Sequence, residues 1–355
     1  MKLFLLLCML LISAAGNATS QTSFDKIGEA VQLMDNGAIG KSIVILHEVL
    51  EKEPDSYLAQ YELGYAHFLN KNYQLSIDIY KQLRNHPDCE FLVYHMLGKL
   101  YERTNDRAKA FESYQDGLKK FPDSVILLNE LGNFSINEQK YDNAIAYYRA
   151  GMKSNPSYAP CYYGISYLYL NLEFPAWGII YGEMYMALER NKTANLQTIS
   201  NLMRKTYISR LATESDSIGM FADCRIFIDE SLPKEDQEKA FDRLDIMAVE
   251  APISCALETF KGDTINTEAL CRFRKAYTDT IIQGGAISTT NPYVKHLIAV
   301  KTSGCENAYN HYLLLNGRPN ELNKWIQSNP FEWEAFKDWF QKYKPDMGNG
   351  SFSVY

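Results

Sequence analysis

The sequence predicts a mainly α-helical protein in which about five helical hairpins stack in tandem, followed by a mostly helical C-terminal region. Three features recur at intervals of about 34 residues: a Leu-Gly pair, a small residue and, with a one-residue shift at one position, a proline. They occur at Gly64, Gly98 and Gly132; at Ser42, Ser76, Ala110, Ala144 and Gly178; and at Pro54, Pro87, Pro122 and Pro156. One hairpin cannot bury its apolar face alone, so a repeat of this length predicts a stacked α-solenoid.

Residues 1–20 are predicted to be a secretory signal peptide. Lys2 is the only charged residue among them, Leu3 to Ile12 is an unbroken apolar run, and small residues follow it. This run is too short for a membrane span, which needs about 20 residues. Cleavage is expected after Ala18 or Ser20, with Ser20 preferred. The mature chain is therefore expected to be exported, without a transmembrane segment, and periplasmic or secreted in a Gram-negative bacterium.

Charge and cysteine usage exclude several classes of protein. The formal net charge is −7 and no basic cluster occurs, which argues against a nucleic-acid partner. None of the six cysteines beyond the signal peptide belongs to a CxxC pair, so a redox or zinc motif is absent from the sequence. Buried free thiols are favoured. Disulfides among Cys224, Cys255, Cys271 and Cys305 remain the alternative, since an exported protein permits them.

The repeated residues resemble the tetratricopeptide repeat (TPR), a two-helix unit of about 34 residues. Four units, at 23–56, 57–90, 91–124 and 125–158, carry the pattern, and a fifth from Ala159 to about Lys192 departs from it. Pro175 suits the start of a second helix in that fifth unit, because the first helical position tolerates proline. The resemblance implies a TPR solenoid over residues 21–192 and a separate C-terminal domain over residues 193–355.

The C-terminal region loses the period. Ser217 to Ile228 is rich in β-branched and aromatic residues and predicts a short β-hairpin. Helices are predicted at Lys234–Phe260, Thr267–Gln283, Tyr293–Lys301, Glu306–Leu315, Asn320–Gln327 and Phe331–Tyr343. The segment "CENAYNHYLLLNGRPNELNKWI" and the aromatic last helix resemble those of exported bacterial TPR proteins of undetermined function. That resemblance implies an architecture and no reaction.

The TPR resemblance also implies a ligand-binding groove, lined by positions five and nine of each unit. These are Tyr61, Tyr65, His95, Lys99, Asn129, Asn133, Tyr163 and Tyr167. Residues four apart share one face of a helix. Asparagine can pair with a peptide backbone, and tyrosine offers a ring and a hydroxyl. TPR domains that clamp a C-terminal carboxylate need several basic residues, and only Lys99 occupies such a position here.

No recognisable catalytic motif or metal-ligand pattern occurs in the sequence, so no catalytic residue, metal or cofactor is assigned. The expected function is a non-enzymatic scaffold that binds a peptide or protein segment in the cell envelope. Two alternatives remain. The groove could be only a solvated wall or hold the protein's own C-terminal domain. Otherwise the chain would be an envelope enzyme or a glycan-handling accessory protein with its site in the C-terminal domain.

The tripeptide Asp-Ser/Thr-aliphatic occurs four times, with its hydroxyl residue at Ser124, Ser217, Thr264 and Thr280. It resembles the acceptor motif of a general O-glycosylation system that acts on exported proteins of some Gram-negative bacteria. For Ser124 the alternative is a helix cap, since serine is a favoured residue at that position.

Overall fold

The computed structural model describes residues 18–172, 175–191, 193–211, 252, 256, 264–284 and 289–348, with side chains from residue 23 onwards. Within these residues the regular elements are helices, and no strand occurs. The predicted mainly α fold with five hairpins is confirmed. The predicted β-hairpin at Ser217–Ile228, the predicted helix at Lys234–Phe260 and most of the signal peptide lie outside the described residues.

The chain divides into two compact units, residues 1–130 and 131–355. The predicted boundary at 192/193 stays a prediction. The N-terminal unit contains α1 (Ala18–Asp35), α2 (Ile39–Lys52), α3 (Tyr57–Leu69), α4 (Tyr73–Leu83), α5 (Phe91–Arg103), α6 (Arg107–Lys120) and the first residues of α7 (Val125–Asn137). Each helix from α1 to α5 packs against the next one in the chain.

The C-terminal unit contains the rest of α7 and nine further described helices. They are α8 (Tyr141–Ser154), α9 (Ala159–Asn171), α10 (Pro175–Leu188), α11 (Ala194–Leu211), α12 (Thr267–Gly284), α13 (Pro292–Thr302), α14 (Glu306–Leu315), α15 (Pro319–Ser328) and α16 (Pro330–Lys342). Helix α14 is central, because α11, α12, α13, α15 and α16 all pack against it. The five C-terminal helices that can be compared begin and end within one residue of their predicted bounds.

Tyrosine rings fill the space that the repeated glycines leave open. A Cβ added to Gly98 would overlap the Tyr114 ring, and one added to Gly64 would lie 2.9 Å from the Tyr80 ring. Ser76, the small residue of the second unit, donates its hydroxyl to the Gly64 carbonyl at 2.7 Å. The repeat period therefore marks a close approach of two helices, with a tyrosine of the second helix packed on a glycine of the first.

The turn inside each of the first four hairpins repeats as well. Gly37, Lys71, Asn105 and Gln139, which recur at the interval of the repeat, all have φ between 59° and 78°. The residue after each donates its N–H to a carbonyl five residues back, as Asp106 does to Tyr101 at 2.8 Å. This pattern closes a helix C-terminus and requires a left-handed residue. Only the first turn uses glycine, so a search for glycine misses the other three.

Candidate functional site

In the N-terminal unit, Tyr61 and Tyr65 lie on α3 and both are half-buried. The Tyr61 ring packs edge-on against Tyr80, with centroids 5.3 Å apart, and the Tyr65 ring stacks on Phe68 at 6.1 Å. Burial raises the pKa of both phenols. The two tyrosines therefore present neutral, partly exposed rings that keep hydrogen-bonding hydroxyls.

The cationic pair of predicted groove residues is held by acids of the same unit. Lys99 Nζ lies 2.7 Å from Glu130 Oε2 and 3.6 Å from Glu102, and His95 Nε2 lies 3.3 Å from Glu130 Oε1. Burial alone would raise the pKa of Glu130, but its bonds to His95 and Lys99 outweigh burial and lower that pKa to about 2. Lys99 is thus already paired, and this stretch lacks the unpaired cations that a carboxylate clamp needs.

The two predicted asparagines lie on α7, one in each compact unit. Asn129 is buried, and its Oδ1 has no hydrogen-bond partner among the described residues. A buried acceptor left unpaired costs about 1–3 kcal/mol. Asn133 is half-buried, and its Oδ1 accepts the Tyr148 hydroxyl at 2.7 Å. Asn129 is therefore the one of the two whose side-chain oxygen is left unpaired, at a position closed to a ligand on the surface.

The last predicted pair, Tyr163 and Tyr167, lies on α9 in the C-terminal unit. The two rings stack, with centroids 6.0 Å apart and planes inclined by 27°, and Tyr163 also contacts Tyr185 of α10 at 5.4 Å. Tyr167 is 39% exposed. The pair therefore leaves one exposed ring, Tyr167, stacked on a half-buried ring that packs against a third tyrosine.

A buried polar network in the C-terminal unit was not anticipated from the sequence. Arg274 of α12, which is 1% exposed, donates to Glu183 of α10, Tyr207 of α11 and Asn310 of α14, each at 2.8 Å. Tyr293 of α13 donates to the other oxygen of Glu183 at 3.1 Å. One guanidinium thus joins four helices, and its carboxylate partner reaches a fifth. Glu183 gives a sequence signal, because it is the one charged residue of the apolar helix α10. Arg274 gives none, because it is one of five charged residues in α12.

His296 of α13 adjoins this network. Its Nε2 lies 2.6 Å from the Tyr309 hydroxyl and 3.8 Å from Glu183 Oε1, and its Nδ1 lies 2.8 Å from the Tyr343 hydroxyl. Burial lowers the pKa of His296 to about 4; Glu183 opposes this shift, and Arg274 and Arg190 add to it. The imidazole is therefore neutral near pH 7.

A cysteine, a histidine and a carboxylate also come together in the C-terminal unit. Cys271 Sγ lies 3.7 Å from His311 Nδ1, and His311 Nε2 lies 3.2 Å from Glu268. However, His311 Nδ1 is 2.9 Å from the Asn307 carbonyl, so this nitrogen carries a hydrogen and cannot accept the thiol proton. Burial raises the pKa of Cys271 to about 12. The group lacks the thiolate that nucleophilic catalysis requires.

Cys89, Cys161, Cys271 and Cys305 are buried and free, whereas Cys224 and Cys255 lie outside the described residues. Across the part of the chain that the structure describes, no three His, Cys, Asp or Glu side chains are grouped to hold a metal ion. No helix in that same part is long and apolar enough to cross a membrane.

The hairpins, their repeat period and the paired residues on first helices define the class of protein, an α-solenoid of repeated helical hairpins. The family model described as tetratricopeptide repeat matches residues 29–88 and 95–159. These two stretches of the chain are tetratricopeptide repeats. TPR arrays are protein-interaction scaffolds, and this is the broad function that the repeats indicate.

Comparison with solved structures found several TPR-type chains. One is described as the crystal structure of MamA, with 16% identity, a TM-score of 0.39, and coverage of 45% of this chain and 93% of that one. Another is YrrB, described as a TPR protein with an unusual peptide-binding site, at 15% identity, a TM-score of 0.36, and coverage of 49% and 94% respectively. Similarity at this level says nothing about what this chain binds. No curated protein sequence matches the chain significantly.

Proposed function

We propose that this protein is an exported, non-enzymatic scaffold in which first-helix residues of the TPR hairpins bind an extended segment of a protein partner in the cell envelope. The observation that carries the proposal is the exposed Tyr167 ring stacked on the half-buried Tyr163 ring of α9, at two positions implied by the repeat. Stacked tyrosines bind side chains through their rings and retain hydroxyls for the backbone.

The N-terminal unit supports the same function. Tyr61 and Tyr65 of α3 offer partly exposed rings at the same positions of an earlier repeat. Because Lys99 is engaged by Glu130 and Glu102, this part of the surface suits an internal, uncharged stretch of a partner and not a free C-terminal carboxylate.

Tyr167→Ala is expected to weaken partner binding by about tenfold or more, because removing an aromatic hot-spot residue costs about 2 kcal/mol or more and tenfold corresponds to about 1.4 kcal/mol. The measurement is photo-crosslinking in intact cells, with a photoreactive phenylalanine analogue in place of Tyr167 and mass-spectrometric identification of the product. The partner identified is then titrated against the purified wild-type and Tyr167→Ala proteins.

Tyr141 provides the matched control, because it is 37% exposed but lies on α8, the second helix of its hairpin. The analogue at Tyr141 should yield no such product, and Tyr141→Ala should leave the affinity unchanged. Equal crosslinking from both positions, or equal loss of affinity, would contradict a site on the first helices. No observation in the described residues favours the enzymatic alternative, which stays a prediction.

We also propose Thr264 as the glycosylated residue of the three candidate sites that the structure describes. Thr264 is exposed and precedes α12, outside regular structure. Ser124 is half-buried and caps α7 by accepting the Leu127 N–H at 3.5 Å, and Thr280 is half-buried in α12, where it donates to the Ala276 carbonyl at 2.9 Å. Ser217 lies outside the described residues.

The intact mass of the native exported protein should therefore exceed that of the bare processed chain. Thr264→Ala should remove the excess, whereas Thr280→Ala should retain it. A native mass equal to that of the bare chain would exclude glycosylation, and an excess that survives Thr264→Ala would place the sugar elsewhere.

A further inference from the structure

The segment that follows α16, residues 343–347, is anchored at several points and is called the C-terminal strap. The Tyr343 hydroxyl lies 2.8 Å from His296 Nδ1. The backbone carbonyl of Tyr343 accepts a hydrogen bond from Arg190 at 2.5 Å. Asp346 pairs with Lys295 of α13 at 2.7 Å, and Met347 is buried. The strap thus connects α13 to the residues that follow α10, the last helix of the fifth hairpin.

His296 is the buried end of this connection. The charged and titratable groups around it among the described residues come from every adjoining element: Glu183 of α10, Arg190 after α10, Arg274 of α12, Lys295 on its own helix, Tyr309 of α14 and Tyr343 of the strap. Glu183 already accepts from Arg274 and Tyr293. It therefore has little capacity left to compensate a second cation beside Arg274.

A proton added to His296 would disrupt the hydrogen bonds of the strap. A neutral imidazole donates through one nitrogen and accepts through the other, whereas the cation donates through both. One of the two tyrosine hydroxyls would then lose its acceptor in a site with no exposure. Tyr309 is buried and Tyr343 is half-buried, so Tyr343 is the partner that can move towards solvent.

We propose that the C-terminal strap is an acid-sensitive closure, released from α13 when His296 takes up a proton. Release would remove the Tyr343 carbonyl from Arg190, which keeps its bond to the Phe340 carbonyl of α16, and would uncover the end of the fifth hairpin. The device therefore regulates the connection between the repeat array and the C-terminal helices, and it does not depend on what the repeats bind.

The direction and size of the effect follow from linkage. His296 has a pKa of about 4 in the closed state because burial disfavours its charged form, and that pKa rises towards the ordinary value of 6.5 when the strap opens and admits water. The open state therefore binds more protons between these values, and the closed state is fully favoured above pH 6.5 and loses this advantage as pH falls towards 4. Between pH 7.5 and pH 5 the opening equilibrium should therefore rise, and a full return of the pKa to its ordinary value sets an upper bound of about 30-fold.

Hydrogen–deuterium exchange of peptides covering residues 340–348 in the full chain tests this. Rates at pH 7.5 and pH 5 are corrected with the same sequence as a free peptide. A rise in opening at pH 5, up to the bound of about 30-fold, supports the proposal. Equal corrected rates at the two pH values would overturn it for the wild-type chain, whatever the variants do.

His296→Gln should abolish the pH dependence, because glutamine does not titrate. The ratio of the opening equilibrium at pH 5 to that at pH 7.5 should then be near one. Asp346→Asn is the matched control: it removes the exposed pair with Lys295 and should retain the ratio. A ratio that persists in His296→Gln would assign the effect to another group. If that variant does not fold, the pKa of His296 measured by NMR in the wild-type chain decides instead, since a value near 6.5 contradicts the closure.

Discussion

Arg274→Met is expected to destabilise the C-terminal unit by about 3–5 kcal/mol, because it leaves the buried carboxylate of Glu183 without its cation. Arg274 is 1% exposed and Glu183 is fully buried. The substitution also removes donors from Asn310 and Tyr207. Methionine occupies a similar volume, so the loss reports the charge and hydrogen bonds and not a cavity.

Chemical denaturation of the full chain, followed by exchange of peptides from α10 to α14, measures this loss. Arg318→Met is the control, because Arg318 forms an exposed ion pair with Glu321 and such pairs contribute about 0–1 kcal/mol. Adding Glu183→Gln to Arg274→Met should recover part of the stability, since a neutral amide costs less to bury than an unpaired carboxylate. Equal, small effects for Arg274 and Arg318 would contradict a buried ion pair.

Gly98→Ala is expected to destabilise the N-terminal unit by about 1–3 kcal/mol, because the added methyl group overpacks a filled contact. The new Cβ would overlap the Tyr114 ring, and that ring is fully buried and cannot swing away. Helices α5 and α6 would have to separate, which weakens the packing on both sides of the hairpin. Urea unfolding monitored by circular dichroism and by exchange in α5 and α6 gives the change.

Gly28→Ala, in the same unit, is expected not to destabilise the protein. Gly28 lies inside α1, and a Cβ added there meets nothing within 4 Å. Alanine is the better helix former by about 0.5–1 kcal/mol, so this variant should be neutral or more stable. If Gly98→Ala were also neutral, the tyrosine–glycine contact would not be what maintains the period.

The helices were predictable because their signals are local. Proline, glycine and apolar spacing act within a few residues, and they predicted both ends of α14 and came within a residue for α12 and α16. Three of the four turns with positive φ, at Lys71, Asn105 and Gln139, were missed, because a left-handed residue other than glycine leaves little compositional signal.

The positions of the candidate binding residues could be predicted from the sequence, but their hydrogen-bond and ion-pair partners could not. The repeat indicates which residues share a first helix, since period and spacing are properties of the chain. It does not indicate that Lys99 is neutralised by Glu130 or that Asn133 is engaged by Tyr148, because these partners lie 31 and 15 residues away. Only packing brings such groups together.

The sequence by itself determined the repeat, its hairpins and the class of scaffold, because a constant period imposes the same local contacts in every unit. The tertiary structure alone revealed the network of Glu183, Arg274 and His296, in which the two partners of the ion pair lie 91 residues apart along the chain. A charged residue in an apolar helix has no preferred partner until folding excludes water from it. Burial then requires each charged group to pair with an opposite charge. Which partner it finds depends on distance in the folded structure and not on spacing in the sequence.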